Sequence, residues 1–302
     1  MDAEIDIMMP FYGDPAQFSR AVESVLAQSD ARWRLVIIDD RYPGTEHLDY
    51  LAGVSDPRMS YVLNDRNLGV SGNFQRAIDL AESPWMVIMG CDDLLAVEYV
   101  ARTRALLGRH PDVDYVQPGV GIIDDDGKRA LPLADRVKRL YRPRQRHEVE
   151  LSGADLALSL LRGNWTYFPS ICWRTDTIRR HGFRADFEIV LDLALQMDIA
   201  LGGGTLLVDD VETFLYRRHR ASASSTAAVD GTRFDEERAF FRAAADAATK
   251  QGWRAAARAA RNHLSSRLNA ASQLPAALRT AGASGARPLL RHILTSGPAA
   301  SA

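Results

Sequence analysis

Short apolar runs and amphipathic stretches alternate along the first part of the chain. The apolar runs are rich in β-branched residues and occupy 5–9, 33–38, 59–63 and 85–89. Between the first two, residues 15–28 carry their apolar side chains at i, i+3 and i+4 spacing, which places them on one face of a helix. This alternation predicts β-α-β units in a mostly parallel sheet, with a ligand at the carboxyl ends of the strands.

A second amphipathic helix is predicted after the third run. Its cap would be Ser71, its apolar positions share a face, and Pro84 stops it before the fourth run. Beyond Asp93 the pattern loosens. It predicts helices at 97–107, 151–161 and 184–200, strands at 115–116, 206–208 and 213–216, a hairpin at 121–129 turning at Asp126-Gly127, and a turn at glycines 202–204.

The expected organisation is α/β, with a mostly parallel nucleotide-binding sheet, flanking helices and a C-terminal helical appendage. The catalytic domain would span 1–228, with a nucleotide-binding half at 1–95 and an acceptor-side half at 96–228. A basic helical segment with a frayed end would occupy 229–302. The basic stretch 134–150 is interpreted as a loop near the active site or as a solvated connection.

Composition narrows the protein class. With 302 residues and 46% hydrophobic content the chain can bury a substantial core. No run approaches the roughly 18 apolar residues that cross a bilayer, and the first residues lack the pattern of an export signal. The two cysteines, Cys91 and Cys172, have no paired spacing, so we expect neither a disulfide framework nor a zinc site. A cytoplasmic protein is expected.

Charge is unevenly distributed, although the net charge is only −2. From Lys250 onward there are eight cations and no Asp or Glu, so the preceding body is acidic. A basic segment at 250–302 predicts peripheral contact with an anionic membrane on its inner face, or else a solvated Arg/Ala-rich helix. We expect no nucleic-acid partner.

Polar residues follow the first two apolar runs. The first runs into Pro10-Phe11-Tyr12-Gly13, where an aromatic face could stack on a nucleobase or serve packing alone. The second ends at Asp39-Asp40. A carboxylate there can accept hydrogen bonds from a base or ribose, whereas capping a turn or helix is the favoured interpretation for Asp40.

The fourth run is followed by Gly90-Cys91-Asp92-Asp93. Adjacent carboxylates at the tip of a buried strand repel each other unless a cation or hydrogen-bond donors compensate. Carboxylate oxygens suit Mg²⁺ or Mn²⁺, which would neutralise a departing diphosphate. Capping of the next helix explains one of the two acids but not easily both.

The order of these features resembles the inverting glycosyltransferases of family 2, which have the GT-A fold. The resemblance covers about residues 4–222 and includes LVIIDD, NDRNLGVSGNFQRAIDLAESPWMVIMGCDD and FLYRRHRASASS. It implies contacts to the nucleotide-sugar from Pro10, Tyr12, Asp39, Asn67, Asn73, Asp92 and Arg217. It implies metal contacts from Asp92, Asp93 and His219. One departure is Gly90, which occupies the first acidic place of the usual Asp-x-Asp motif.

In the second half, the resemblance assigns the general base to Asp192, with Glu188 and Asp198 as nearby alternatives. The implied activity is inverting transfer from a nucleoside-diphosphate-sugar, favouring UDP- or dTDP-sugars, to a glycan, lipid-linked or small-molecule acceptor in cell-surface polysaccharide or glycolipid synthesis. The alternative is an inactive nucleotide-sugar-binding module, prompted by Gly90. A nucleotidyltransferase is disfavoured because no Gly-rich basic loop follows the first strand.

Overall fold

A computed structural model describes residues 5–143, 148–219 and 232–294. Its strands form one sheet. They are β1 (Ile5–Phe11), β2 (Trp33–Asp39), β3 (Met59–Leu63), β4 (Trp85–Ile88), β5 (Leu94–Leu95), β6 (Tyr115–Ile123), β7 (Val149–Ser152), β8 (Cys172–Arg174) and β9 (Thr205–Arg217).

The sheet has the order β3-β2-β1-β4-β8-β6-β9-β5, and β7 pairs with β9. β1, β2, β3 and β4 pair in parallel, which confirms the prediction for the nucleotide-binding half. The second half mixes directions, because β8 runs antiparallel to both β4 and β6 while β6 and β9 are parallel. The expectation of a mostly parallel sheet therefore holds only for the first half.

The helices lie on both faces of this sheet. They are α1 (Pro15–Leu26), α2 (Glu46–Ala52), α3 (Gly69–Leu80), α4 (Tyr99–Arg109), α5 (Leu133–Tyr141), α6 (Gly153–Arg162), α7 (Thr175–His181), α8 (Leu191–Leu201), α9 (Thr232–Lys250), α10 (Arg254–Asn262) and α11 (Leu264–Leu294). None of the helices within the described ranges is long and apolar enough to cross a membrane.

The core is divided by β1, whose residues alternate between two apolar layers. Ile7 packs with α1 residues such as Val22 on one side, and Met8 packs with α3 residues such as Ile78 on the other. Because both faces are covered, the strand is apolar at nearly every position; the exception is Asp6, which is buried and paired with Arg34.

Several local predictions are corrected. α3 begins at Gly69 rather than at a Ser71 cap, because Asp40 accepts hydrogen bonds from the backbone N–H groups of Leu68 and Gly69. The stretch 134–150, interpreted as a loop or connection, contains most of α5 and the start of β7. The helix predicted at 184–200 begins only at Leu191. The predicted strands at 206–208 and 213–216 are one strand, β9, and β6 extends well past 115–116.

The hairpin at 121–129 is confirmed. An antiparallel bridge joins Ile123 to Arg129, and Gly127 has φ +81°, a conformation that glycine adopts readily. The predicted helix at 97–107 is observed as α4, but it starts at Tyr99, after the short strand β5. Neither Asp92 nor Asp93 can therefore be its cap.

The C-terminal helices do not form a separate layer. Phe240, Phe241 and Ala257 of α9 and α10 belong to the same apolar cluster as Leu156 of α6 and Ala194 of α8. A separate, small apolar cluster consists of three α11 residues and Phe234 of α9. The expected boundary at 228/229 and the expected frayed end at 295–302 lie outside the described residues.

Candidate active site

Asp39 lies at the carboxyl end of β2, at the sheet edge where a nucleotide was expected. It is only 2% exposed, and its two carboxylate oxygens already have internal partners. The Tyr42 backbone N–H donates to Oδ1 over 2.8 Å, the Tyr61 hydroxyl donates to Oδ2 over 2.6 Å, and His47 Nε2 lies 2.8 Å from Oδ2. Burial and the neighbouring Asp39 raise the pKa of Tyr61. These contacts fix the orientation of the Asp39 carboxylate and therefore of any contact that it makes with a nucleobase.

Asp40 and Asn73 form a buried polar link between β2 and α3. Asp40 accepts from Asn64 Nδ2 at 2.9 Å and from the backbone of Leu68 at 2.7 Å, so the favoured capping interpretation is confirmed. Asn73 is 3% exposed, donates to the Ile38 carbonyl at 3.1 Å and accepts from Asn64. These contacts make Asn73 a support of the strand end, and its contact with a nucleotide-sugar stays a prediction.

Three other predicted nucleotide residues lie nearer the surface. Tyr12 is 56% exposed and meets the Tyr42 ring edge-on, with centroids 6.0 Å apart. Pro10 is half-buried at the end of β1, and exposed Asn67 accepts from the Gly69 backbone at 3.0 Å. An open aromatic face beside the strand ends suits stacking with a base.

The acidic pair after β4 is divided by burial. The side chain of Asp92 is 31% exposed, whereas Asp93 is 1% exposed and accepts from the Arg217 backbone N–H at 2.8 Å. Burial first, and then the charge of Asp92, raise the pKa of Asp93 well above its usual value. Asp92 is thus placed to meet a ligand and Asp93 to hold β9 beneath it.

A side chain at position 90 would crowd both neighbouring acids. A Cβ at this position would lie 2.7 Å from Asp93 Oδ2 and 2.8 Å from Asp92 Oδ1. A side chain here would therefore displace both carboxylates. Glycine in place of the first acid of the Asp-x-Asp motif therefore fits the packing of this turn.

Arg217, expected to bind a phosphate through a bidentate contact, is buried below the acidic pair at 2% exposure. Its Nε donates to the Asp92 carbonyl at 2.7 Å, and Nη1 donates to the Asp124 carbonyl at 2.8 Å. Nη2 is buried with no hydrogen-bond partner among the described residues. Most of the guanidinium is thus committed to backbone carbonyls and Nη2 is buried, so the predicted contact with a diphosphate would require the Arg217 side chain to move.

His219 faces Asp92 from the end of β9. Its Nε2 lies 2.6 Å from Asp92 Oδ2, and its Nδ1 lies 2.6 Å from Asp125 Oδ1. Burial lowers the pKa of His219, but the hydrogen bonds to Asp92 and Asp125 outweigh it and the pKa is raised. Asp125 was not predicted. Its place in the hairpin turn gave no sequence signal for this contact.

Asp92, Asp93 and His219 are the side chains expected to bind a divalent cation. Asp92 and His219 are both about one-third exposed and form a direct 2.6 Å hydrogen bond, so a cation held by both would replace the proton between them. Asp93 does not fit direct ligation without rearrangement, because it is buried and bonded to β9. Within the described residues no cluster of three or more His, Cys, Asp or Glu side chains is arranged to hold a metal ion. A cation would therefore be held by Asp92 and His219, with remaining ligands from elsewhere.

Asp192 lies in the first turn of α8 and is half-buried. Asn164 Nδ2 donates to its Oδ2 at 3.0 Å, and the Thr166 hydroxyl donates to Asn164 Oδ1 at 2.8 Å. Of the alternatives, Glu188 is exposed ahead of the helix, and Asp198 lies further along it, with a pKa that burial raises. Only Asp192 combines partial exposure with an orienting amide.

Sequence reasoning missed a second set of residues, because α5 was interpreted as a loop or connection. Asp135 is buried and accepts from Arg218 over 2.9 and 3.0 Å and from the Tyr167 hydroxyl over 2.8 Å. Lys138, one turn later, donates to the Thr166 carbonyl at 2.6 Å and lies 4.3 Å from the Tyr167 ring centroid. Burial, together with Arg218, lowers the pKa of Lys138 to about 8. The i, i+3 spacing of Asp135 and Lys138 was the available signal.

These contacts connect the two ends of the site. Arg217 bonds to Asp93 through its backbone, and the next residue, Arg218, bonds to Asp135. Tyr167 continues from Asp135, and its neighbour Thr166 leads through Asn164 to Asp192. A cleft of about 360 Å³ opens beside this path, lined by Lys138, Arg139, Arg142, Trp165, Tyr167 and Glu212.

Comparison with known proteins identifies the family and the fold. The sequence profile of glycosyl transferase family 2 matches residues 6–159, and the chain belongs to this family. The fold is GT-A. The solved structure of S. aureus TarS 1-349 in complex with UDP-GlcNAc superposes with a TM-score of 0.61 at 14% identity, covering 79% of this chain and 65% of that one.

Curated relatives match over shorter stretches. The putative colanic acid biosynthesis glycosyl transferase WcaA of Escherichia coli (strain K12) is 37% identical over 90 residues, which are 30% of this chain and 32% of that protein. The PGL/p-HBAD biosynthesis glycosyltransferase of Mycobacterium bovis (strain BCG / Pasteur 1173P2) is 27% identical over 114 residues, covering 36% and 44% of the two chains. The match thus spans less than half the length of each relative.

Proposed function

We propose that this protein transfers a sugar from a nucleoside-diphosphate-sugar, with UDP- and dTDP-sugars favoured, to an acceptor hydroxyl with inversion. The observation that carries the proposal is the continuous path of hydrogen bonds and neighbouring residues from the acidic pair after β4 to Asp192. A transferase needs a site for the leaving diphosphate and a base for the acceptor in fixed relation, and this path supplies that fixed relation.

The donor side would use the residues at the strand ends. Tyr12 offers a stacking face and Asp39 a carboxylate oriented by its buried shell. Asp92 and His219 would hold Mg²⁺ or Mn²⁺, which neutralises charge on a departing diphosphate when it is bound. His219 is oriented by Asp125 through Nδ1 and already contacts Asp92 through Nε2.

Asp192 would act as the general base. Its Oδ2 is oriented by Asn164, so a fixed carboxylate oxygen is available to take a proton from an acceptor hydroxyl as that oxygen attacks the anomeric carbon. One in-line displacement from the face opposite the diphosphate inverts the configuration. Lys138 would contribute positive charge close to Asp192, and burial keeps the pKa of this lysine near 8.

The test is a panel of UDP-, dTDP- and GDP-sugars incubated with purified protein and Mn²⁺ or Mg²⁺, measuring release of free nucleoside diphosphate. We expect slow, metal-dependent hydrolysis of one UDP- or dTDP-sugar. The matched comparison is Asp192→Asn, which we expect to bind the same donor without turnover. Donor binding without turnover in the unmodified protein, with and without candidate acceptors, would instead support the inactive binding module.

The acceptor is a glycan, a lipid-linked molecule or a small molecule in this proposal. Similarity to proteins whose names refer to colanic acid and PGL/p-HBAD biosynthesis supports a role in cell-surface polysaccharide or glycolipid synthesis. Peripheral contact of residues 250–302 with an anionic membrane is part of the same proposal, because this segment carries cations and no acids.

A further inference from the structure

A second cleft lies between α6 and α10, away from the donor strand ends. Its volume is about 470 Å³, within the range of roughly 300–1,000 Å³ typical of small-ligand sites. Apolar residues Leu158, Leu161 and Ala259 line it together with three arginines, Arg162, Arg254 and Arg258. We call it the arginine groove.

Among the described residues, no acidic side chain pairs with the arginines of the groove. All three are exposed, no Asp or Glu lines the groove, and within the described residues none of the three guanidinium groups forms an ion pair. Arg254 and Arg258 are also spaced i, i+4 on α10, where like charges destabilise a helix. An anion held among the three would relieve that repulsion, and a guanidinium fork suits a phosphate.

The groove also offers apolar surface that a free phosphate would not need. Leu161 is buried in its wall, Leu158 and Ala259 are half-buried, and Leu264 at the edge is 60% exposed. Cations beside apolar side chains match a molecule that carries an anionic group next to a hydrocarbon chain.

The groove is close to the candidate base. Arg162 ends α6, and two residues later Asn164 donates to Asp192 at 3.0 Å. Two residues of extended chain span about 7 Å, so the backbone of Arg162 lies close to the amide that orients Asp192. Tyr141, which also lines the groove, lies one turn after Lys138 on α5.

We infer that the arginine groove binds the phosphate and the adjoining hydrocarbon of a lipid-linked acceptor, and that this anchoring directs the acceptor hydroxyl to Asp192. The inference rests on the proposed function and narrows its acceptor to an anionic lipid-linked molecule. The specificity of the site would then lie in helices α6 and α10, outside the donor half of the sheet.

Calorimetric titration with three probes tests the groove without any donor. Dodecyl phosphate below its micelle concentration carries both features, dodecyl maltoside carries the chain alone, and inorganic phosphate carries the anion alone. We expect dodecyl phosphate to bind roughly tenfold or more tightly than either partial probe. Equal binding of phosphate, or equal binding of the maltoside, would overturn the inference.

Two groove variants and a matched control complete the test. Arg254→Ala/Arg258→Ala should weaken dodecyl phosphate binding roughly tenfold or more, since two charge-assisted contacts are lost. Ala255→Phe, an exposed lining position, should weaken it by filling the groove without removing charge. The control Arg279→Ala/Arg287→Ala removes the same charge from exposed positions of α11 and should leave binding within about twofold of the unmodified protein.

Equal weakening by the control pair would show that the charge of the whole segment, rather than the groove, attracts the probe, and would contradict the inference. UDP affinity of the unmodified protein with Mn²⁺ is measured on the same sample. If the unmodified protein does not bind UDP, the result counts against the proposed function. If it binds UDP but the predictions for the groove fail, only the inference about the groove is contradicted.

Discussion

The parallel part of the sheet and the C-terminal helices solve the same burial problem with different residues. In the sheet, Ile7, Met8 and Ile38 are large and fully buried. In α9 and α10 the buried positions are largely alanines, such as Ala248 and Ala260. Large side chains fix the strand ends through packing on both faces, whereas small ones let helices approach closely but contribute less apolar area.

This difference extends to the polar groups. At the strand ends, the buried side chains of Asp40 and Asn73 form hydrogen bonds that hold α3 against β2. Both regions contain buried polar atoms without a hydrogen-bond partner among the described residues, such as Arg217 Nη2 and His292 Nδ1, but in the C-terminal helices burial also lowers the pKa of His263 and His292. We therefore expect substitutions on the sheet side to change catalysis and ligand binding. We expect the loss of stability at low pH to arise in the C-terminal helices.

The largest expected effect is on catalysis by the sheet-side site. Asp192→Asn keeps the volume and an acceptor for Asn164 but removes the base, so we expect kcat to fall roughly 10²–10⁴-fold. The affinity for UDP with Mn²⁺ should change little, because Asp192 lies on the acceptor side. Steady-state rates and calorimetry on the same preparation measure the two quantities.

The neighbouring acids provide the controls for this assignment. Glu188→Gln changes an exposed acid before α8, and Asp198→Asn changes a half-buried acid within it. Each should retain kcat within about threefold of the unmodified protein, as substitutions away from the reacting atoms do. A larger loss in either variant than in Asp192→Asn would move the base to that residue.

The strands of the parallel part of the sheet could be predicted from the sequence, whereas α5 and the burial of Arg217 could not. β1, β2 and β4 are recognisable because nearly continuous apolar runs identify strands covered on both faces, whereas β3 is mostly apolar in sequence but only partly buried. α5 was missed because four of its nine residues are charged, its apolar residues Leu133, Val137 and Leu140 are exposed, and its one buried residue, Asp135, is polar. The burial of Arg217 depends on a turn some ninety residues away at Asp124, and no local pattern encodes such a long-range contact.

The next effect separates the two acids after β4. Asp92→Asn removes a charged ligand beside His219, so Mn²⁺-dependent UDP affinity should fall roughly tenfold or more. Asp93→Asn keeps an acceptor for the Arg217 N–H and should lower that affinity less than threefold. Calorimetric titration of UDP with and without Mn²⁺ compares the variants. Equal losses would mean that Asp93 also contacts the cation, as the sequence predicts.

The smallest effect concerns the helical side. His292 is fully buried, 2.6 Å from Ser266 Oγ, and Ser266 donates to the buried Glu237. Burial first, and then the nearby His263, lower the pKa of His292 to about 4, against an ordinary 6.5. Since the folded state holds this proton less tightly than the unfolded state, its stability is complete above about pH 6.5 and is lost as pH falls towards 4.

The expected loss from this histidine is roughly 1–3 kcal/mol across that window. Thermal unfolding followed by circular dichroism between pH 7.5 and 4.5 measures it. His292→Phe keeps an aromatic ring beside Phe234 but cannot be protonated, so the decline in Tm should be shallower in this variant. His181→Gln, a half-buried position at the end of α7, serves as the control and should follow the unmodified protein. If both variants decline in parallel with the unmodified protein, acid sensitivity arises elsewhere and the contrast between the two regions fails at this point.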